Sequence, residues 1–279
     1  MTTQLERDVG ALAGSSAHSG ATAGARVVVA QLLGALEAGQ VRAAERGTDG
    51  IWRAVPWVKT GILLAFRVGE LAETAAPPFS FVDKDTLPAR AFTVREAVRV
   101  VPGGSTIRRG AYVAPGVICM PPMYINVGAH VGSGTMVDSH ALVGSCAQVG
   151  ERVHLSAAAQ LGGVLEPVNA VPVIIEDDVI VGGGCGVYEG TIVREHAVLG
   201  AGVILTRGTP VFDLVRETVY RSSADAPLEI PAGAVVVPGA RHVSRGWGAE
   251  QHLALQTPVI VKYRDQKTDA ATALESWLR

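Results

Sequence analysis

The feature that most constrains the fold is a repeat of six residues in the middle of the chain. An aliphatic side chain, or once a cysteine, returns at every sixth position, and the frame slips by two residues between 162 and 174. The repeated positions are Ile107, Val113, Cys119, Ile125, Val131, Val137, Val143, Val149, Leu155, Leu161, Ile175, Val181, Val187, Val193, Leu199 and Leu205, with a last fragment at Ile230 and Val236.

A period of six excludes the two common patterns, because a helix repeats its apolar face about every 3.6 residues and a strand about every two. It fits a triangular coil with one short strand on each side, in which the repeated residue points inward and small residues turn the corners. Three units make one coil of about eighteen residues. We therefore predict a mainly β protein whose residues 99–240 form a parallel β-helix, left-handed as in hexapeptide-repeat proteins. We expect an inserted loop near 162–174 and a hairpin near 206–229.

The segments on either side of the repeat have different patterns. Residues 1–98 are predicted to form a mainly helical domain, with helical spacing over 25–46, broken near Gly39, and over 56–68. Residues 74–91 are predicted to be a loop because Pro77 and Pro78 mark a turn. Residues 241–279 are predicted to cap the open end of the coil with a strand at 258–262 and a short helix ending near Arg279.

Composition narrows the class of partner and the compartment. Net charge is -2 with both signs interspersed, so we expect neither nucleic acid nor an anionic membrane as a partner. Three cysteines without a CxxC motif fit a reducing compartment. The N-terminus lacks the charged-then-apolar pattern of a signal peptide, and no stretch reaches the ~18 apolar residues of a membrane span. A cytoplasmic location is expected.

A β-helix is a scaffold, so function must be argued from particular side chains, and two alternatives need weighing. Carbonic anhydrases of this fold hold zinc with three histidines, for which His130, His140 and His154 are the candidates here. His130 and His154 are 24 residues apart, which is one coil plus one side, so they face different flanks and fit ordinary hydrogen-bonded imidazoles better. The second alternative is a non-catalytic trimeric scaffold, but that reading leaves the acidic and arginine residues that interrupt the repeat unexplained.

A third class, acyl transfer from coenzyme A, is indicated by specific motifs. The chain carries RVVPGGSTIRRGAYV at 99–113, NVGAHVGSGTMVDSHALVGSCAQVG at 126–150, VHLSAAAQLGGVLEP at 153–167 and VIIEDDVIVGG at 173–183. Together with IWRAVPWVKTGILLAFRV at 51–68 and TRGTPVFD at 206–213, these segments resemble the tetrahydrodipicolinate N-succinyltransferase family over nearly the whole chain. The resemblance implies transfer of a succinyl group from succinyl-CoA, used as a co-substrate with no tightly bound cofactor or metal. The implied acceptor is an open-chain amino dicarboxylate of lysine and diaminopimelate biosynthesis, and an acetyl-CoA donor remains the alternative.

The resemblance also assigns roles to residues. Asp138 of MVD matches the catalytic acid, and Arg99 of RVVP matches a substrate-binding arginine. A carboxylate beside the attacking amine can accept its proton, and an arginine can bind a carboxylate in a paired, planar contact. Arg207 and Arg216 are candidates for the second substrate carboxylate.

The donor is expected in a groove between neighbouring chains of a homotrimer. Backbone amides at two small-residue corners are expected to bind its pantetheine chain, and lysines of the tail are candidates for its phosphates. The corners are Ser156, Ala157 and Ala158, and Gly182, Gly183 and Gly184, and the lysines are Lys262 and Lys267.

One departure from the family pattern concerns a second acidic residue. Where members have RSEVVEG, this chain has GCGVYEG, so Gly186 stands in place of the first glutamate and Glu189 remains. Glu189 is therefore predicted to be the second catalytic acid, with Glu166 as the alternative. His140 stands where some relatives have tryptophan.

Overall fold

The computed structural model describes residues 2–14, 21–76, 79–224 and 226–265. The N-terminal part contains helices α1 (Thr2–Gly14), α2 (Ala21–Glu37) and α3 (Pro56–Val68), hairpin strands β1 (Ala44–Arg46) and β2 (Trp52–Ala54), and hairpin strands β3 (Leu71–Ala76) and β4 (Phe79–Lys84). A 3-10 helix, Val94–Glu96, leads into the β-helix.

Two predictions for this part are wrong. Residues 74–91 were predicted to be a loop, but β3 and β4 form an antiparallel hairpin there, because pairing between the strands supplies the order that local propensity lacks. The predicted break near Gly39 is confirmed, since α2 ends at Glu37 and Gly39 adopts a left-handed conformation, but no second helix follows it: the end of the predicted range, Ala44–Arg46, is strand β1. The helix at 56–68 is confirmed as α3.

The helices form a core of their own that continues into the β-helix. Helices α2 and α3 pack so closely that a Cβ on Gly61 would lie 2.2 Å from Cδ2 of Leu32. The same apolar cluster includes Val127 and Cys146 of the coil. The helical part is therefore packed against the prism.

The six-residue repeat forms a three-sided prism with strands of two residues. The strands are β5 (Arg99–Val100), β6 (Thr106–Ile107), β7 (Tyr112–Val113), β8 (Ile118–Cys119), β9 (Tyr124–Ile125), β10 (His130–Val131), β11 (Met136–Val137), β12 (Leu142–Val143), β13 (Gln148–Val149), β14 (His154–Leu155), β15 (Gln160–Leu161), β16 (Ile174–Ile175), β17 (Ile180–Val181), β18 (Gly186–Val187), β19 (Ile192–Val193), β20 (Val198–Leu199), β21 (Ile204–Leu205) and β24 (Glu229–Ile230).

These strands pair in parallel into three sheets, here called flanks. Flank 1 contains β5, β8, β11, β14, β17 and β20; flank 2 contains β6, β9, β12, β15, β18 and β21; flank 3 contains β7, β10, β13, β16, β19 and β24. The corners are named after the flanks they join, as corner 1/2, corner 2/3 and corner 3/1.

The second residue of each strand is the inward one, as the period predicts. Val137, Val143 and Val149 on successive flanks are each 0% exposed, and every repeated position from Ile107 to Val236 is buried. Each such side chain contributes about 1.5–3 kcal/mol relative to exposure. The third residue after it turns the corner in a left-handed conformation even where it is not glycine, as at His140 (φ 62°) and Ala158 (φ 59°).

The slip at 162–174 is an insertion of eight residues at corner 2/3, because 14 positions rather than six separate Leu161 from Ile175. The register is unaffected, since β16 still pairs with β13. A loop projects from the corner and Lys59 of α3 holds it, donating from Nζ to the carbonyl oxygen of Ala170 at 2.6 Å.

Flank 1 extends past the coil into the predicted hairpin and cap. The hairpin is β22 (Val211–Asp213) with β23 (Thr218–Tyr220), and the cap is β25 (Ala234–His242) with β26 (Ala254–Tyr263), joined by helix α4 (Gly246–Glu250). The predicted strand at 258–262 lies within β26. The predicted C-terminal helix lies outside the described residues.

Candidate active site

Asp138 lies where flank 1 turns into corner 1/2, directly after the inward Val137. Its Oδ1 accepts the backbone N–H of Ser139 at 2.7 Å, and its Oδ2 lies 3.8 Å from Nε2 of His154 in the next coil. The Asp138 side chain is 29% exposed and that of His154 is 11% exposed. The carboxylate is thus fixed through Oδ1, and its Oδ2 faces the His154 imidazole.

Arg99 lies on the same flank as Asp138. Its strand β5 pairs with β8, which pairs with β11, so Arg99 lies two strands, or about 10 Å, from Met136. The residue is exposed, and its guanidinium has no hydrogen bond or ion pair with any residue that the structure describes. It is available to an anionic ligand.

The two small-residue corners predicted for coenzyme A stack directly on Asp138. Ala158 donates its N–H to Ser139 O at 2.8 Å, and Gly184 donates to Ala157 O at 3.0 Å. Ser156 and Gly182 also donate their N–H groups to neighbouring coils.

The prediction that all these amides bind a ligand is therefore too broad. Four of the six are committed to the coil, and within the described chain only the N–H groups of Ala157 and Gly183 lack a protein acceptor. These two amides, one coil apart, are the ones that remain for a pantetheine carbonyl.

Lys262 lies on β26, four strands from β14 along the extended flank 1, or about 19 Å away. Its Nζ lies 3.3 Å from Oδ1 of Asp265. Lys267 lies outside the described residues.

Glu189 lies at corner 2/3, one whole flank away from Asp138. Its Oε2 accepts the backbone N–H of Arg207 at 2.8 Å, and the Arg207 guanidinium donates to the carbonyl oxygens of Ser223 and Ala224 at 3.1 and 3.4 Å. A cleft of about 330 Å³ lies beside this pair and is also lined by Glu166 and Tyr188. Both candidate second acids thus share one cleft, which Asp138 of the same chain does not line.

Tyr188 is a lining residue that sequence reasoning missed. Its ring lies over Gly186, where an added Cβ would be 2.4 Å from Cε2 and 2.8 Å from the hydroxyl oxygen, and over Gly162, where a Cβ would be 2.8 Å from Cδ1. The tyrosine therefore fills the space that a side chain at 186 would use. The only sequence signal was the combination of a glycine at an outward strand position with a large ring two residues later.

Arg216 lies apart from both corners. Its guanidinium lies 4.1 Å from the centroid of the Tyr263 ring, and its backbone N–H donates to Oδ1 of Asp213. Burial alone would raise the pKa of Asp213, but bonds from the Tyr263 hydroxyl (2.6 Å) and from backbone N–H groups hold it below its usual range. Arg216 belongs to a contact that anchors the hairpin to the cap, and it does not line the cleft beside Glu189 and Arg207.

The three histidines considered for zinc lie apart from one another. His130 is on flank 3, His140 at corner 1/2 and His154 on flank 1. Among the described residues of the single chain, no three His, Cys, Asp or Glu side chains are arranged to hold a metal ion. The same part of the chain contains no helix with the length and apolarity of a membrane span.

A triangular β-helix with a carboxylate at one corner, open amides stacked above it and an acid–arginine pair at the next corner defines a hexapeptide-repeat acyltransferase. Family models match residues 11–68, described as the N-terminal part of tetrahydrodipicolinate N-succinyltransferase, and residues 172–207, described as the hexapeptide repeat of succinyl-transferase. The second match agrees with the left-handed coil expected from the repeat.

Curated relatives identify the family. The proteins named 2,3,4,5-tetrahydropyridine-2,6-dicarboxylate N-succinyltransferase from Nitrobacter winogradskyi and Bradyrhizobium diazoefficiens are 39% and 40% identical to this chain, each over 91% of this chain and 90% of the relative. The protein of that name from Polynucleobacter asymbioticus is 39% identical over 93% of this chain and 91% of its own length. The chain belongs to the tetrahydropyridine-dicarboxylate N-succinyltransferase family.

Proposed function

We propose that this protein transfers the succinyl group of succinyl-CoA to the amine of tetrahydrodipicolinate, in its open-chain 2-amino-6-oxopimelate form, during lysine and diaminopimelate biosynthesis in the cytoplasm. The observation that carries the proposal is the position of Asp138. Its side chain is 29% exposed at a corner, beside two backbone amides that have no acceptor within the described chain and on the flank of Arg99, which has no ion pair there.

The chemistry follows from these groups. The amine nitrogen attacks the thioester carbonyl carbon while Asp138 accepts the amine proton. The carbon–sulfur bond then breaks and the proton on Asp138 passes to the departing sulfur, which leaves an amide, the coenzyme A thiol and the original carboxylate. Arg99 binds a substrate carboxylate, and the Ala157 and Gly183 amides bind the donor. The Ser139 N–H holds Oδ1 of Asp138, so the carboxylate presents Oδ2, the oxygen nearer His154, in one orientation.

The separation of Asp138 from Glu189 supports a homotrimer. Flank 2 has corner 1/2 at one edge and corner 2/3 at the other, so a three-fold arrangement can bring Asp138 of one chain to Glu189 and Arg207 of the next. In that arrangement the acid and the second carboxylate-binding group come from two chains, and the cleft beside Tyr188 contributes to the acceptor or acyl pocket.

The test is a thiol-release assay that compares succinyl-CoA with acetyl-CoA across several amino dicarboxylates. We expect Asp138→Asn to lower kcat by about 10²–10⁴-fold, the usual contribution of general-base assistance. The fold should persist because the Asn carbonyl can still accept the Ser139 N–H. Asp49→Asn is the control, since Asp49 also accepts a backbone N–H, from Ile51 at 3.1 Å, but lies in the β1–β2 turn. Equal turnover of Asp138→Asn and wild type would refute the assigned base, and preference for acetyl-CoA would refute the assigned donor.

Subunit mixing tests the shared site. Asp138→Asn and Glu189→Gln chains, each inactive alone, should regain up to about a quarter of wild-type activity after denaturation and refolding together, because random mixing restores about one site in four. No recovery in refolded mixed trimers, or full activity of Glu189→Gln alone, would contradict a site built from two chains.

A further inference from the structure

A second cavity, of about 440 Å³, lies on flank 3 and is separate from the corners that hold Asp138 and Glu189. Its walls come from the segment carrying β1 and β2 on one side and from flank 3 and corner 3/1 on the other. Its size is within the range of small-molecule pockets, about 300–1,000 Å³. The acyl-transfer mechanism uses none of its residues.

Arg42 forms one end of this cavity. Its Nε donates to Oε1 of Gln148 at 2.9 Å, and its guanidinium carbon lies 5.6 Å from the centroid of a Trp52 ring. Gln148 is 1% exposed and is itself fixed, donating from Nε2 to the carbonyl oxygen of Cys146 at 2.8 Å. The Arg42 guanidinium is thus held in one place by a neutral amide.

That environment leaves the Arg42 charge poorly compensated. Burial lowers the pKa of Arg42, with weaker opposing effects from the charges of Glu45 and Asp177. Neither terminal nitrogen has a hydrogen bond to any residue in the described part of the chain. A guanidinium withdrawn from water with four free N–H groups is a strong donor set for a carboxylate.

His130 lines the cavity beside Arg42. Its ring stacks on Tyr112 with centroids 4.4 Å apart, and its Nδ1 is enclosed by protein, without a hydrogen-bond partner among the described residues. Burial, and to a lesser extent the charge of Arg42, lowers the pKa of His130 to about 3, so the imidazole is neutral at physiological pH. The stacked rings therefore give the cavity an uncharged wall between its two ends.

The other end of the cavity carries more carboxylates than cations, since Arg46 also lines it but lies 3.6 Å from Oε1 of Glu176. Glu176 is 5% exposed and already bonded to Arg194 at 2.9 Å and to Nε1 of Trp52 at 2.8 Å. Asp177 and Glu195, by contrast, are exposed at the mouth. A ligand that carries only negative charge would be repelled there, whereas one with a separate ammonium group would be attracted.

We propose that this cavity binds a small amino acid, with its carboxylate on Arg42 and its ammonium group facing Asp177 and Glu195. The Trp52 ring and the Tyr112–His130 stack cover the carbon chain between the charges. This site is distinct from the acyl-transfer site, so binding here is compatible with either result of the activity tests.

The experiment is calorimetric titration of the full-length protein with three matched probe series. These are ω-amino acids from glycine to 6-aminohexanoate, the fatty acids of the same lengths, and the corresponding alkylamines. We expect at least one ω-amino acid to bind, and the fatty acid and the amine of that length to bind at least tenfold more weakly. Absence of binding by every ω-amino acid, or equal binding by the fatty acid, would overturn the proposal.

Two variants locate the binding and one serves as the control. Arg42→Gln should weaken the amino-acid probe at least tenfold. The double variant Asp177→Asn, Glu195→Gln removes both carboxylates that face the ammonium group, while the Asn oxygen can still accept the Glu151 N–H that Asp177 accepts, so it should weaken the ω-amino acid more than the fatty acid of the same length. Asp138→Asn should bind the probe as wild type does. Unchanged binding in a folded double variant would place the ligand elsewhere, even if Arg42→Gln fails to fold.

Discussion

The packing of Tyr188 over Gly186 predicts how much stability the protein loses when Gly186 is replaced by alanine. Gly186 does not have a positive φ, so the cost of Gly186→Ala comes from steric overlap and not from backbone strain. The new Cβ would lie 2.4 Å from Cε2 and 2.9 Å from Cζ of Tyr188, about 1 Å inside ordinary contact, and overpacking of this kind costs about 1–3 kcal/mol. Lower entropy of the unfolded chain offsets about 0.4–1 kcal/mol of that.

The measurement is a double-mutant cycle with Gly186→Ala, Tyr188→Val and both changes together, followed by thermal unfolding at one protein concentration. Gly186→Ala alone has a net cost of about 1.3 kcal/mol at the middle of those ranges and should lower the melting temperature by about 3–5 °C, at roughly 2–4 °C per kcal/mol for a chain of this size. In the Tyr188→Val background the same change should be neutral or slightly stabilising. The coupling free energy between the two sites is therefore about 1–3 kcal/mol.

Additive effects, within about 0.5 kcal/mol, would show that the Tyr188 ring does not occupy the space over Gly186. The kinetic constants of the same variants test the role of Tyr188 in substrate binding. If the tyrosine shapes the acceptor or acyl pocket, Tyr188→Val should change KM for one substrate more than it changes kcat.

Two further predictions concern buried ionisable groups. Lys59 is 0% exposed and burial lowers its pKa, so the unfolded chain binds the Lys59 proton more tightly than the folded chain does. The free energy of unfolding of the wild type should therefore rise toward pH 10 more steeply than that of Lys59→Met. Equal slopes in pH-dependent melting would contradict this. Burial raises the pKa of Cys119 and of Cys146 to about 12 and also raises the pKa of Cys185. A thiol reagent at pH 8 should therefore label none of the three cysteines in the native protein and all three after denaturation. Fast labelling of the native protein would contradict the burial of these thiols.

The coil could be predicted from the sequence because its signal is repeated many times. Each unit places one aliphatic residue inward, so a single unclear unit such as that of Cys119 does not disturb the frame. The hairpin of β3 and β4 had no comparable signal: LAETAA contains alanine and glutamate, which are weak strand formers, and its order comes from pairing with the next segment. Pairing between segments is invisible to local pattern reading.

The candidate site likewise contains some features that could be predicted from the sequence and others that depend on packing between coils. Asp138 could be placed at an outward position by counting units, because it directly follows the inward Val137, whereas Arg99 lies before the repeat and was assigned only through the resemblance. The occupied amides at Ser156 and Gly182, and the ring of Tyr188 over Gly186, depend on which hydrogen bonds and spaces neighbouring coils have already used. The cavity at Arg42 and His130 could not be predicted, because its two walls are 88 positions apart in the sequence and meet only in the folded chain.

The geometry of the coil also separates the parts of the site that can change from those that cannot. Each coil pairs with the next through its own strands, so the eight-residue insertion at corner 2/3 leaves the stack of Asp138, Ser156 and Gly182 at corner 1/2 in register. The same insertion brings Glu166 beside Glu189 and Tyr188. Substitutions and insertions at corner 2/3 can therefore alter the shape of the substrate pocket without moving the base. On this reasoning, the replacement of a glutamate by Gly186 with Tyr188 over it should affect which acyl chain or acceptor is preferred. The proton transfer assigned to Asp138 should be unaffected.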